Sequence, residues 1–312
     1  EKSCDYLLSG DTIKVNLKKG AKGKYYSQNI IENESINGYN VKLTIDIELQ
    51  KILQEELSNA IKETNAQGAN GIIVNPYNGE ILALASLPDF NPNKYNEYPI
   101  ENFNNSVISN SYEPGSTFKI LPIALGLEIE QFKLSDSIFC ENGVYQLSSG
   151  KLMHDHEEHN FLSIKDILVH SSNIGISKLS ESFPNKTLYK LIKKFGFCSK
   201  TYIPLSNESK GKLRPISNWS KTSKNYISIG QELAITNLQL AMAYSVIANG
   251  GKLVQPSLIK KIYKQDDLRY TNYSEEIRQV INPKTSYEIL NILKEVVEYG
   301  TAESINLRSY DI

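Results

Sequence analysis

Two short, almost wholly apolar segments limit the folds that this sequence can adopt. Residues 81–87 and 120–127 are the longest nearly apolar runs, and both fall far short of the ~20 residues needed to cross a bilayer. Segments that are apolar nearly throughout predict elements covered on more than one side. A chain of 312 residues is long enough to bury them in a proper core, so no disulfide or metal is needed to hold the fold.

The first of these segments belongs to a predicted hairpin. Residues 71–74 and 81–86 flank the pair Asn78-Gly79. An Asn-Gly pair favours a two-residue type I′ turn, because both central positions of that turn need positive φ. Since both strands are apolar nearly throughout, we expect helices to cover both faces of the hairpin.

Several stretches show the three- and four-residue apolar spacing of helices. Asp46 is placed to cap the first of them, which continues through Leu49, Ile52, Leu53, Leu57 and Ile61. Further helical patterns cover 116–130, 163–183, 187–195, 236–248 and 283–299. Pro122 should kink the helix that contains it, and the Pro- and Asn-rich residues 87–111 are typical of a long surface excursion. The sequence therefore predicts an α+β fold, with an antiparallel hairpin sheet among many helices.

Composition excludes several classes of protein. Lys and Arg number 34 against 35 Asp and Glu, for a formal net charge of -1, which argues against a nucleic-acid partner held by a basic surface. A hydrophobic fraction of 40% is that of a globular protein. Cys4, Cys140 and Cys198 have no CxxC spacing, so they predict neither a zinc ribbon nor a redox motif. One disulfide with a leftover thiol and three free thiols both remain open.

The sequence around Ser116 carries a candidate nucleophile and base. Pro114-Gly115 ends the preceding segment, and Ser116 and Lys119 then stand three residues apart at the start of a predicted apolar helix. That spacing places both side chains on one helix face. A lysine in apolar surroundings has a lowered pKa and could take the proton of the serine hydroxyl. Because Ser-x-x-Lys also occurs by chance, the pattern needs support from elsewhere in the chain.

A second polar element joins two helical patterns at residues 170–175. There Ser171 and Asn173 could point the same way, with a hydroxyl to relay protons and an amide to hold the lysine and a substrate peptide group. Taken alone, these residues would indicate only a helix end and a new N-cap.

Together the two elements resemble the active site of the penicillin-recognising serine acyltransferases. The resemblance runs from about Val41 onward, and residues 171–179 and 194–197 are similar to the division-type class B penicillin-binding proteins. Other stretches that resemble this family are 43–50, 75–83, 229–231 and 236–241.

This resemblance implies a peptidoglycan D,D-transpeptidase in which Ser116 forms an acyl-enzyme with a stem peptide. By analogy Lys119 is the general base, Ser171 relays protons to the leaving group and Asn173 binds the substrate backbone. The resemblance further implies inhibition by β-lactams, septal synthesis with divisome membrane proteins as partners, and a place at the periplasmic face of the bacterial inner membrane. No metal or cofactor is implied.

One part of the family pattern is missing. The family carries Lys-Thr-Gly on a sheet strand that supplies one oxyanion-hole N–H, whereas residues 221–223, 284–286 and 300–302 offer only partial matches outside a predicted strand. Residues 310–312 resemble the approach to that strand. We therefore expect a Lys-Thr-Gly or Lys-Ser-Gly strand to follow within about ten residues, in the parent reading frame or a partner chain, and slow acylation without it.

The expected domain organisation follows from the same resemblance. Residues 1–40 are predicted to be a linker or the remnant of an N-terminal pedestal domain, in a parent protein anchored by an N-terminal helix. Residues 41–312 are predicted to form the transpeptidase domain without its C-terminal strands. An open sheet edge would then remain beside the hairpin.

Two alternative functions stay open. The chain could be a catalytically inert fragment of such an enzyme, or a β-lactamase or β-lactam sensor, although no obvious Glu-x-x-x-Asn element is present to supply a deacylating base. The residues His154, His156 and His159, with acids between them, could hold zinc. We instead expect a solvent-exposed loop there and no structural metal.

Overall fold

Helices account for most of the regular secondary structure. The computed structural model describes residues 2–10, 17–20, 23–27, 37–265 and 267–305. The α-helices within these residues are α1 (Asp5–Leu8), α2 (Ile47–Thr64), α3 (Ser106–Ser109), α4 (Ile120–Glu128), α5 (Ile164–Val169), α6 (Asn173–Glu181), α7 (Asn185–Lys194), α8 (Ser223–Ser228), α9 (Asn237–Ala248) and α10 (Pro283–Tyr299). In this described part of the chain, no helix is both long and apolar enough to span a bilayer.

The strands are short and pair only in antiparallel ladders. They are β1 (Leu17–Lys19), β2 (Tyr25–Ser27), β3 (Asn40–Leu43), β4 (Ala69–Val74), β5 (Ile81–Leu87), β6 (Ser137–Phe139), β7 (Val144–Gln146), β8 (Leu152–His154), β9 (Phe161–Ser163), β10 (Lys212–Leu213), β11 (Leu233–Ala234), β12 (Lys252–Val254), β13 (Ile259–Lys264), β14 (Asp267–Thr271) and β15 (Glu276–Gln279). The pairs are β1–β2, β4–β5, β6–β9, β7–β8, β10–β11 and β12–β15, with β14–β13–β3 as a three-stranded sheet.

The predicted hairpin is present, but its turn differs from the expected one. Strands β4 and β5 are joined by residues 75–80, and Gly79 alone of the Asn78-Gly79 pair has positive φ, at 73°. A two-residue type I′ turn would need both. Gly79 N donates to Asn75 O at 2.9 Å and closes a wider loop. The type I′ prediction is therefore wrong.

A tertiary contact explains the wider loop. A Cβ on Gly79 would lie 2.2 Å from Gln255 O, so the backbone of the loop packs directly on the segment before β13. Ser257 N donates to Gly79 O, and Ile81 N donates to Ser257 O, both at 2.9 Å. These bonds attach the end of the hairpin to the chain about 180 residues later.

The outer edge of β5 is closed by a side chain rather than by a strand. Asp46 caps α2 as predicted, accepting from Glu48 N and Leu49 N, and this places Gln50 one turn later beside β5. The Gln50 amide donates to Leu84 O at 3.0 Å and accepts from Leu84 N at 2.9 Å. Gln50 therefore replaces one residue of a neighbouring strand.

Among the helices that the structure describes, α4 is the most buried. Every residue from Ile120 to Gly126 is buried, and α4 packs against α6, α7 and α10. The prediction of an interior helix is confirmed, but its start is not. Residues Gly115–Lys119 form a 3-10 helix, and the α-helix begins only at Ile120.

Pro122 does not produce the kink that the sequence suggests. It is the third residue of α4, within the first turn, where a missing N–H leaves the α-helical ladder intact. Instead of a bend inside the helix, the chain changes from 3-10 to α geometry just before Pro122. Residues 87–111 also differ in part from the surface excursion predicted, because α3 buries Val107 and Ile108.

All three cysteines are free. Cys140 and Cys198 are buried, and burial raises the pKa of both thiols, that of Cys198 to about 11. Of the two arrangements that the sequence leaves open, the structure therefore has three thiols.

We expect Gln50→Ala to lower the free energy of unfolding by about 1–3 kcal/mol, because it leaves the N–H and C=O of Leu84 without partners at a half-buried sheet edge. Gln54→Ala is the matched control, since it removes the same side chain from the same helix without a hydrogen bond to a strand. Urea unfolding of both variants measures the difference. Equal effects would contradict the role given to Gln50.

Candidate active site

Ser116 lies on an exposed turn at the start of the most buried helix. The 3-10 segment Gly115–Lys119 buries Phe118 and Lys119 but leaves Ser116 exposed. Residues i and i+3 eclipse one another in a 3-10 helix, so Ser116 and Lys119 stay on one side of the turn. The shared side that the spacing predicts is therefore that of a 3-10 helix and not of the first turn of an α-helix.

Lys119 is a buried cation held by Ser171. Its side chain is 1% exposed, and Nζ donates to Ser171 Oγ at 2.9 Å and to the Ser171 carbonyl oxygen. Burial lowers the pKa of Lys119 from 10.5 to about 8, while the nearby charge of Asp155 opposes that shift. In the described residues no hydrogen bond joins Lys119 to Ser116.

Ser171 occupies a strained turn between α5 and α6. Its φ is 55°, in the left-handed region that costs a residue other than glycine on the order of 1 kcal/mol or more. The turn is fixed on both sides, because Ser171 N donates to Leu168 O at 3.1 Å and Ser172 N donates to Ile167 O at 2.9 Å. This conformation directs both the hydroxyl and the carbonyl of Ser171 toward Lys119.

Asp155 braces the start of α6 and was not found from the sequence. Its carboxylate accepts from Ser172 Oγ at 2.5 Å and from Ile174 N at 2.9 Å, while Ser172 Oγ accepts from Gly175 N as the N-cap. A carboxylate at a helix N-terminus is favoured by the helix dipole. No local pattern predicts this contact, since Asp155 precedes Ser172 by 17 residues.

Asn173 is the first residue of α6, not a member of the turn as expected. Its Nδ2 donates to the carbonyl oxygen of His154 at 2.9 Å. The loop that follows β8 therefore holds both Asn173 and the cap of its helix. The amide oxygen of Asn173 takes no part in this bond and can accept one from another group.

The turn that carries Ser116 is braced by residues 229–235. Gly115 N donates to Gly230 O at 3.0 Å, and a Cβ on Gly230 would lie only 2.0 Å from Gly115 O. Glu113 accepts from Glu232 N at 2.9 Å. This backbone approach requires glycine at position 230, where φ is 79°.

A tyrosine fixes the other side of the same turn. Tyr244 on α9 donates its hydroxyl to the carbonyl oxygen of Thr117 at 3.0 Å, and burial raises the pKa of Tyr244 to about 12. The phenol therefore stays protonated and remains a donor at neutral pH. Thr117 Oγ1 in turn donates to Pro114 O at 2.8 Å.

None of the three partial matches to Lys-Thr-Gly lies on a strand. Residues 221–223 lead into α8, and Lys284 is in the first turn of α10. Thr285 and Ser286 there are buried and bonded to Glu128 and Ile247. Residues 310–312, the expected approach to the missing strand, lie outside the described residues.

The assembled groups suit acyl transfer. An exposed hydroxyl, a lysine with a lowered pKa and a second hydroxyl bonded to that lysine are the components of a serine nucleophile activated by an amine base.

Comparison with known proteins agrees with this chemistry. Residues 70–312 match the family model described as the penicillin binding protein transpeptidase domain. The chain belongs to this family of transpeptidase domains.

Two curated relatives cover nearly the whole of this chain. Stage V sporulation protein D of Bacillus subtilis is 31% identical over 310 residues, covering 98% of this chain and 48% of that protein. The peptidoglycan D,D-transpeptidase FtsI of Buchnera aphidicola is 32% identical over 327 residues, covering 100% of this chain and 56% of that protein. The transpeptidase chain thus spans about half the length of the curated relatives it matches.

Solved structures share the fold of this transpeptidase domain. Penicillin binding protein 3 of Mycobacterium tuberculosis, complexed with aztreonam, has 27% sequence identity and a TM-score of 0.81, covering 89% of this chain and 64% of that one. The expected α+β penicillin-binding fold and the class B resemblance are both confirmed.

We expect Gly230→Ala to destabilise the transpeptidase domain by about 1–3 kcal/mol more than Gly250→Ala. Both glycines have positive φ, but only at position 230 would the new Cβ meet backbone, whereas nothing lies within 4 Å at position 250. The difference therefore isolates overpacking against the Ser116 turn. Thermal or urea unfolding measures it, and equal losses would show that the turn can move away at little cost.

Proposed function

We propose that this chain carries the acylation machinery of a peptidoglycan D,D-transpeptidase, with Ser116 as nucleophile. The observation that supports this most directly is the buried Lys119, whose pKa is about 8 and whose Nζ is bonded to Ser171 Oγ. A buried amine with a lowered pKa is a candidate general base, because burial makes its neutral form more accessible near neutral pH. The exposed Ser116 on the same 3-10 turn is the hydroxyl it would serve.

In the proposed first step, neutral Lys119 accepts the proton of Ser116 Oγ. The oxygen attacks the carbonyl between the two terminal D-alanines of a stem peptide, and the resulting tetrahedral oxyanion is stabilised in part by the Ser116 N–H. The C–N bond then breaks, and the leaving D-alanine amine takes a proton from Lys119 through the Ser171 hydroxyl. An ester of Ser116 remains.

In the second step, an amine of a neighbouring stem peptide attacks the ester. A new C–N bond forms, the C–O bond to Ser116 breaks, and the proton lost by the amine returns to Ser116 by way of Lys119. The Asn173 amide would bind the substrate backbone, since its oxygen is not engaged by the His154 loop. Because it binds and orients, we expect Asn173→Ala to reduce acylation less than loss of Lys119.

The same ester would form with a β-lactam, whose ring amide takes the place of the peptide bond. A solved relative of similar fold is described as a complex with aztreonam and another as a complex with ampicillin. We extend the proposal to septal wall synthesis at the periplasmic face of the inner membrane, with divisome membrane proteins as partners. Relatives named FtsI support this extension.

One observation favours an inert chain as the second candidate. The Lys-Thr-Gly element, to which the family assigns an oxyanion-hole donor and a substrate contact, does not occur in these 312 residues. Loss of one such donor lowers turnover by about 10²–10³. We therefore expect acylation slow enough that the reaction has to be monitored over hours.

Incubation of the chain with benzylpenicillin should give a single covalent adduct on the peptide that contains Ser116. Intact-mass analysis followed by peptide mapping measures it. Ser116→Ala should abolish the adduct, whereas Ser135→Ala, an exposed serine elsewhere, should leave it unchanged. An adduct that survives Ser116→Ala would reject the assignment. Release of the adduct as penicilloate within minutes would favour a β-lactamase instead.

Acylation should accelerate as pH rises and level off above about 8, because only neutral Lys119 can accept a proton and its pKa is about 8. Lys119→Ala should slow acylation by about 10²–10⁴ and remove this dependence. The charge of Asp155 raises the pKa of Lys119, so Asp155→Asn should move the midpoint to lower pH. Rates of labelling by a fluorescent penicillin across pH test both statements, and a midpoint that moves upward in Asp155→Asn would contradict the coupling.

A further inference from the structure

A cluster of three potential metal ligands lies beside the candidate active site. Atoms of Glu157, His159 and His170 all fall within 4.8 Å of one another. Glu157 Oε2 is 3.8 Å from His159 Nε2 and 3.9 Å from His170 Nδ1, and the two imidazole rings have centroids 5.0 Å apart.

The cluster differs from the grouping considered from the sequence. His154 and His156 do not join it, and the additional imidazole, His170, comes from the turn after α5. Sequence spacing hides this combination, since His170 follows His159 by 11 residues and belongs to another element.

The local hydrogen bonding prepares His159 as a ligand. Its Nδ1 lies 3.3 Å from the carbonyl oxygen of Glu157, which can accept only if Nδ1 carries the proton. In that tautomer Nε2 holds a lone pair, and this atom faces the Glu157 carboxylate. A histidine whose second nitrogen bonds to a carbonyl is the usual arrangement around a bound metal.

The donor set suits zinc. Two imidazoles and one carboxylate, with a fourth position left for water, form a recurrent tetrahedral Zn²⁺ site. Zn–N and Zn–O bonds of about 2.0–2.1 Å place neighbouring ligand atoms roughly 3.3 Å apart. The Glu157 separations of 3.8 and 3.9 Å therefore need only a small contraction, which the exposed Glu157 side chain can provide. The ligand atoms of His159 and His170, which lie within 4.8 Å of each other, must also move closer.

We propose that Glu157, His159 and His170 bind a Zn²⁺ ion. This inference goes beyond the proposed function and does not depend on it. His170 directly precedes Ser171, and the loop that supplies Glu157 and His159 also supplies Asp155 and the carbonyl of His154, which hold α6. The ion would thus link the 154–159 loop to the α5–α6 turn a second time.

Zinc binding is measured on the metal-free full chain, without an affinity tag, by calorimetry and by competition with a chromophoric chelator. We expect one ion per chain. His159→Ala and His170→Ala should each weaken the zinc Kd at least about tenfold, and Glu157→Gln should also weaken it. His156→Ala is the matched control, because it removes an exposed imidazole from the same loop outside the cluster, and should bind as the parent.

Two further measurements identify the ligands and separate this proposal from the proposed function. Co²⁺ substitution should give visible bands without a thiolate charge-transfer band, since no cysteine takes part. Zinc at about 100 times its Kd should raise the Tm by at least about 3 °C, in the parent and equally in Ser116→Ala, which cannot acylate.

The contrary outcomes are equally defined. Absence of saturable zinc binding would overturn the proposal. So would a loss of affinity in His156→Ala as large as that in His170→Ala, or a thiolate band with Co²⁺. Zinc binding without any penicillin adduct would refute the proposed function alone.

Discussion

The bond between Lys119 and Ser171 is the interaction on which the site depends. A lysine ammonium with 1% exposure is unfavourable unless hydrogen bonds replace its water, and here the hydroxyl and the carbonyl of one serine do so. The shift of its pKa from 10.5 to about 8 corresponds to a cost of about 3 kcal/mol for the charged form. That cost is present below pH 8. It disappears between about 8 and 10.5, where the native lysine is neutral and the unfolded chain still binds the proton, so stability rises with pH.

The surrounding structure keeps both partners of this bond in place. On one side, α4 is anchored in the core and the Ser116 turn is held by Gly230 and Tyr244. On the other, Asp155 fixes the start of α6 and with it the left-handed Ser171. Residues more than 100 positions away thus hold the Ser116 turn, while Ser171 supplies the hydrogen bonds of Lys119. A charge left without partners is costly inside a protein. A substitution that weakens the contacts of the Ser116 turn should therefore also destabilise the Ser171 turn, and the reverse.

The sequence predicts the parts of this structure that depend on local information. The helical patterns at 236–248 and 283–299 correspond to α9 and α10, Asp46 caps α2 as predicted, and the hairpin follows from two apolar runs. These features arise within a few residues of chain, where periodicity and capping act.

The sequence does not predict contacts between distant segments. Neither Asp155 at the cap of α6 nor His170 beside His159 has any local signature. The pair Asn78-Gly79 alone also does not reveal that the type I′ prediction is wrong. The wider loop results from contact with Gln255, which lies far along the chain. The bond from Gly115 N to Gly230 O, more than 100 residues away, likewise has no local signature.

Gln50 helps to determine which edge of the β4–β5 sheet can pair with another strand. Because its amide bonds both backbone groups of Leu84, Leu84 and its cross-strand partner Ile72 form a non-hydrogen-bonded pair, and the N–H and C=O of Ile72 point away from β5. In the residues that the structure describes, no strand pairs with that side of β4. Any additional strand, from this polypeptide or from another, can therefore enter the sheet only beside β4. Gln50 and the bond from Asp46 N to Leu82 O thus make the sheet one-sided, closed to pairing along β5 and open to it along β4.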